Sequence, residues 1–173
     1  TSFFINDVID SGDVILQLKV KIGENESVSS LYNRLKIAGA SLALDTIFTI
    51  SGEKSIRIEQ KTEGIEKKAP KIFSEFSHLE LLNNLNDIHN RIRACDAFPG
   101  ASIPMINGNN GRIKLFKSEV INNYESEFYS DHVKLIISDK EIIITQVDRA
   151  LKIGAVQWPG KRRMDTFEFV KGF

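Results

Sequence analysis

Five short stretches in the second half of the chain, Ser102 to Asn107, Arg112 to Val120, His132 to Ser138, Glu141 to Val147 and Leu151 to Gln157, alternate apolar and polar side chains. The turn formers Asn107-Gly108, Asn110-Gly111 and Ser138-Asp139-Lys140 punctuate the series. Strands this short and this closely spaced predict a small closed β-barrel, OB-like in kind. Ahead of them Ser77 and Glu80 have capping-box spacing, and Leu81, Leu85, Ile88 and Ile92 extend an amphipathic helix to about Ala94. Pro99-Gly100 ends it, so the barrel has one leading helix.

The first half follows another pattern. Phe3 to Ile5 and Val14 to Ile22 are rich in β-branched and aromatic residues and flank the turn formers Asp10-Ser11-Gly12-Asp13, which predicts strand, sharp turn, strand. From Ser27, Val28, Leu31, Leu35, Ala38 and Leu42 fall at helical spacing, and Ile37, Leu44 and Phe48 add a second stripe. Two stripes predict a long, deeply packed helix ending near Ser51-Gly52. Residues 52 to 71 are charged, hold only three isoleucines as large apolar groups, and end at a proline, the composition of a linker. The expected class is therefore α+β, with residues 1–52 the end of one domain, 53–71 a linker and 72–173 the barrel.

At 173 residues and 42% hydrophobic content the chain can bury a core. Its longest apolar stretches are broken by polar residues such as Asp45 and Lys140, which predicts no membrane span. Residues 1–10 lack the basic start and apolar run of a secretory signal and read as the middle of a domain. Cys95 is the only cysteine, which rules out an internal disulfide and a cysteine-built zinc site and suits a reducing cytoplasm. Basic and acidic residues balance at 23 each, so any contact with nucleic acid has to be local. His78, His89 and His132 lack partners at metal-ligand spacing, and no metal is expected.

Three blocks carry a family resemblance. They are IDSGDVILQ at Ile9 to Gln17; APK at Ala69 to Lys71 followed by IHNRIRACDAFPGA at Ile88 to Ala101; and VQWPGKRRMDTFEFVKGF at Val156 to Phe173. In order and spacing they resemble the C-terminal part of methionyl-tRNA formyltransferases, the first block being similar to the D-x-G motif that formyltransferases acting on other amines share. The third block is the one similar to the tRNA enzymes. Ala97 stands where the family usually has proline, and the family's acidic-Trp pair has no clear counterpart near Glu80-Leu81.

The resemblance implies a remnant of an α/β formyltransferase domain, two strands and a long helix, followed by the OB-like domain. It implies transfer of a formyl group from 10-formyltetrahydrofolate to the amine of initiator methionyl-tRNA, in the cytoplasm and as a monomer. The family's catalytic Asn and His and its folate-binding segments are expected upstream of Thr1, making the chain a fragment. A sugar-nucleotide N-formyltransferase and a non-catalytic RNA-binding barrel are the alternatives.

Within that resemblance Asp10 belongs to the proton network, orienting and charging the histidine, while Ser11 and Gly12 form the folate loop and Gly12 lets backbone pass close to the folate. Taken alone, Asp-Ser-Gly-Asp is an ordinary turn. Lys161, Arg162 and Arg163 follow the Pro159-Gly160 turn beside Trp158, a set able to meet phosphate and stack on a base, although such a run alone is a solvated loop. Arg91, Arg93, Lys67 and Lys68, with Lys71, are weaker tRNA candidates, one of the two arginines being expected to brace the fold. Asn90 is expected to be a structural amide and Cys95 to pack at the helix end.

Overall fold

The computed structural model describes residues 1–52, 57–60, 69–105, 111–125, 130–138 and 140–172, and of Leu81 the backbone alone. The chain divides into two compact units, residues 1–24 with 30–71 and residues 25–29 with 72–173.

In the first unit β1 (Ser2–Phe3) pairs antiparallel with β2 (Val14–Leu16), Ser2 facing Leu16 and Phe3 facing Val14. These strands are shorter than the sequence predicts. Ile5, Leu18 and Ile22 lie beyond them and are exposed, because β-branched composition favours extended backbone but a ladder needs a partner strand along its whole length. The helix α1 (Val28–Ser51) has nearly the predicted ends. The expected deep packing is absent: none of its residues is buried, and Ile37 and Phe48 are 75% and 73% exposed. Helical spacing aligns apolar stripes, but burial requires an opposing surface, and the described residues provide none over these stripes. One polar contact ties α1 to β1, where Thr46 Oγ1 donates to Ser2 Oγ at 2.8 Å.

Part of the expected linker is structured. Ile58 bridges Val14 through a reciprocal pair, Val14 N to Ile58 O at 2.8 Å and Ile58 N to Val14 O at 2.9 Å. Lys67 and Lys68 lie outside the described residues.

The second unit opens with 3₁₀ turns at Ser74–Ser77 and Leu79–Leu81, then α2 (Leu85–Ala94). The helix begins later than predicted, and the Ser77/Glu80 capping box does not exist. Ser77 Oγ donates to Ser74 O at 2.6 Å, and Glu80 is held 2.6 Å from Arg112. The cap is Asn84, whose Oδ1 accepts from Asp87 N at 2.8 Å. Leu85, Ile88 and Ile92 face inward as their spacing requires, and α2 packs over β4, β6 and β7.

Those strands belong to a sheet of β3 (Ala101–Pro104), β4 (Arg112–Asn122), β5 (Lys134–Ile137), β6 (Ile142–Gln146), β7 (Arg149–Gln157) and β8 (Arg163–Asp165), ordered β3-β4-β7-β6-β5. All pairings are antiparallel, and β8 continues the edge of β7 beyond the end of β6. The predicted closed barrel is instead a curled half-barrel, with β3 and β5 as free ends among the described residues. The β4–β7 ladder has one irregularity in its middle, between the Phe116–Ala155 and Ser118–Ile153 pairs. Lys117 in mid-β4 has a positive φ of 55°, and opposite it stands Gly154, where a Cβ would lie 3.1 Å from both the Cβ and the carbonyl oxygen of Lys117. Sequence reading missed β8 and the last helix, α3 (Thr166–Lys171), capped by Asp165. Phe169 and Val170 of α3 join Ile88, Leu115, Ile153 and Val156 in the core.

Candidate active-site loop and nucleic-acid interface

The loop between β1 and β2 is fixed by its own side chains. Asn6 Oδ1 accepts from Val8 N at 3.0 Å, an Asx-type turn, and the single proton of the Ser11 hydroxyl lies between two acceptors, Asn6 Oδ1 at 2.9 Å and Val8 O at 3.0 Å. Asp10 sits at φ 59°, a left-handed conformation that aspartate tolerates better than most residues, and its side chain is exposed. Gly12 is buried for a reason sequence reading did not supply. A Cβ there would lie 1.6 Å from Phe4 O, so the fold itself demands glycine where the loop passes the backbone just beyond β1. Phe4 N donates to Asp13 O at 2.9 Å across the same gap. The loop thus displays the Asp10 carboxylate on a pinned turn that also carries Asp7 and Asp13.

The loop has a further partner. Gln60 Nε2 donates to Asp10 O at 3.1 Å and to Gly12 O at 2.6 Å. Arg57 stacks on Phe4, its guanidinium 4.3 Å from the ring centroid. Sequence reading missed both, since composition marked this stretch only as linker.

In the second unit the basic run is divided by structure. Trp158 O accepts from Lys161 N at 3.0 Å, and Gln157 Nε2 donates to Lys161 O at 3.0 Å, which closes the turn. Lys161 and Arg162 point to solvent with no side-chain partner among the described residues. Arg163 is committed to the fold. Its guanidinium lies 2.9 Å from Asp96 Oδ1 and 3.9 Å from the centroid of the buried Phe116 ring. Trp158 is half-buried against Phe169, with ring centroids 5.7 Å apart, so its ring is a core contact before it is a stacking platform. Strand register adds a cation the sequence did not single out. Lys114 lies beside Gln157 and Gln157 beside Arg163, one row across β4, β7 and β8.

Both helix arginines brace the fold, where only one was expected to. Arg91 donates to Phe76 O and stacks on that ring at 3.7 Å, and Arg93 donates to Glu26 O at 3.1 Å. Asn90 is exposed and accepts from Arg93 Nε, a side-chain partner in place of the backbone partner expected of a structural amide. His89 is buried between Ser118 Oγ at 2.8 Å and Asn25 Oδ1 at 3.0 Å. Burial pushes the Cys95 thiol up, partly offset by Arg91, which keeps it a packed, uncharged group at the end of α2. Among the described residues no three His, Cys, Asp or Glu side chains gather as metal ligands, and no helix is long and apolar enough to cross a membrane.

Residues 71–173 match the family model for the formyl transferase C-terminal domain, and the chain belongs to that family. It is 30% identical over 171 residues to the methionyl-tRNA formyltransferase of Symbiobacterium thermophilum, across 99% of this chain and 51% of that protein. To the methionyl-tRNA formyltransferase of Bacteroides thetaiotaomicron it is 29% identical over 180 residues, 100% of this chain and 55% of that one. The chain spans about half the length of the curated relatives it matches. Among solved structures it is similar in fold to HypX from Aquifex aeolicus in complex with tetrahydrofolic acid, with a TM-score of 0.67, 16% identity, and coverage of 98% of this chain and 29% of that one.

Proposed function

We propose that residues 1–173 form the C-terminal half of a methionyl-tRNA formyltransferase, an enzyme that moves the formyl group of 10-formyltetrahydrofolate to the amine of initiator methionyl-tRNA. One observation carries this reading. The similarity to enzymes of that name runs over 99–100% of the chain, through both the Asp10 loop and the closing basic segment, and is not confined to the barrel. Residues 1–52 are then the end of the catalytic domain, 53–71 the connection, and 72–173 an OB-like module for the tRNA. The protein works as a cytoplasmic monomer.

The chemistry needs a base for the attacking amine and a donor for the oxyanion that develops on the formyl oxygen. The carboxylate of Asp10, displayed by the pinned loop, would orient a histidine from the other half of the enzyme and stabilise its protonated form. The amine could then pass its proton to that ring as the new C–N bond forms, and the ring could return it to the folate N10 as the N10–formyl bond breaks and tetrahydrofolate leaves. Ser11 and Gly12 would border the folate. Lys161 and Arg162, with Lys114 in the adjoining row, would meet tRNA phosphates, while Arg163 and Trp158 hold the turn that presents them.

The test is an acceptor comparison with a formylation-competent protein carrying residues 1–173 as its C-terminal half. Supplied with 10-formyltetrahydrofolate, it should formylate methionyl-tRNA and leave amino-sugar nucleotides untouched. Formylation of the sugar alone would move the assignment to the sugar enzymes. Tight RNA binding with neither transfer would leave a binding barrel.

A further inference from the structure

Gln60 lies 50 residues beyond Asp10 in sequence, in a stretch whose composition marks it as connecting chain. Its terminal amide nevertheless reaches back to the loop. One nitrogen, Nε2, donates both of its protons, to the carbonyl oxygens of Asp10 and Gly12 at 3.1 and 2.6 Å. A single donor thus fixes two peptide planes of the loop, Asp10–Ser11 and Gly12–Asp13, and through the first of them the backbone that sets the direction of the Asp10 Cα–Cβ bond. The segment around Gln60 is itself anchored. Ile58 forms the reciprocal bridge to Val14 at the foot of the loop, and Arg57 covers Phe4.

The loop needs such a restraint. Asp10 occupies a left-handed conformation unfavourable for a residue with a Cβ, and such conformers persist only where surrounding bonds over-determine them. Asn6 and Ser11 hold the near side of the turn through Val8. Only the Gln60 amide holds the carbonyl of Asp10 itself among the described hydrogen bonds.

We propose that Gln60 is a positioning residue for the formyl transfer, the clamp that holds the Asp10 carboxylate in its working direction. The inference rests on the formyltransferase reading of Asp10. It gives the connecting segment a part in the chemistry as well as in joining domains.

Two variants in the formylation-competent protein test it. Gln60→Leu keeps the size and removes both donors. Gln60→Glu turns a carboxylate oxygen toward two carbonyls and repels them. Because Gln60 is exposed, Tm should move by no more than about 2 °C for either. Turnover should fall by about tenfold or more for Gln60→Leu and further for Gln60→Glu, with KM for 10-formyltetrahydrofolate and for methionyl-tRNA within about threefold of wild type. Amide exchange at Phe4, whose N–H bonds Asp13 O across the loop, should quicken in both variants of residues 1–173. Normal turnover in Gln60→Leu, beside a severe loss in Asp10→Asn, would overturn the clamp and keep Asp10. A large Tm loss with rises in both KM values would make Gln60 merely structural. A wild-type protein that formylates nothing would sink the formyltransferase reading, and unchanged Phe4 exchange in the variants would then sink the clamp separately.

Discussion

The two units of this chain treat their apolar residues in opposite ways. In residues 72–173 the helix α2 and the curled sheet enclose a continuous core in which Leu115, Ile153 and Val156 are fully buried. In the first unit only Gly12 and Ile15 are buried among the described residues, and the 24-residue α1 buries nothing. Both carry apolar positions at regular spacing. Periodicity therefore reports which face a segment would bury, and whether that face is covered depends on chain elsewhere. The second unit has the makings of a self-sufficient fold, whereas the first contributes a pinned loop and an uncovered helix.

The largest test of that contrast is paired truncation. Leu115→Ala should cost about 2–5 kcal/mol in denaturant unfolding, because it opens a cavity in a closed core. Leu44→Ala, at a position 59% exposed, should cost less than about 0.5 kcal/mol. Equal losses would mean that α1 is packed in solution.

Next in size is a loss in rate. Asp10→Asn in the formylation-competent protein keeps shape and removes charge, and turnover should fall about 100-fold while folate affinity changes little. Retained turnover would return the first unit's loop to an ordinary turn.

Smaller again is the division within the basic run. Lys161→Gln with Arg162→Gln should weaken tRNA binding and flatten log K against log salt by about two units, with Tm unchanged. Arg163→Gln alone should cost up to about 1 kcal/mol of stability, through Asp96 and Phe116, with little change in the salt slope. The reverse pattern would exchange their roles.

The smallest effect concerns pH. Burial pushes the Glu80 carboxyl up, but hydrogen bonding and charge attraction from Arg112, with its own backbone, outweigh this and hold it below the ordinary carboxylate range. A lowered folded pKa contributes stability above the unfolded pKa and loses it as pH falls through the folded one. Glu80→Gln should therefore cost a few tenths of a kcal/mol at pH 7 for this partly exposed pair, and the difference from wild type should shrink as pH falls below about 4 and vanish once the folded carboxyl is protonated.

Much of the second unit was legible in sequence because its signals are local. Leu85, Ile88 and Ile92 announce their helix, and turn formers separate most of the strands. The errors came where one residue type serves two ends. Ser77 and Glu80 have capping-box spacing, yet Ser77 bonds back to Ser74 O and Glu80 is drawn to the distant Arg112, and Asn84 caps instead. Arg163 looks like its neighbours in the run, and only the register of β8 on β7 carries it over Phe116. Asp10, Ser11 and Gly12 were marked through resemblance, while the amide that grips them lies about 50 residues away and leaves no local trace.

The placement of β7 also sets a timetable for synthesis. Lys114 on β4 waits for Gln157, and Gln157 in turn waits for Arg163 on β8. As the chain leaves the ribosome, β4 emerges with its long edge unmatched and stays so for some forty residues of elongation. The β5–β6 hairpin can form at once, but the sheet gains its spine only when β7 clears the exit tunnel. Folding of this unit is thus deferred until β7 has emerged, and until then its strands stay open to nascent-chain chaperones.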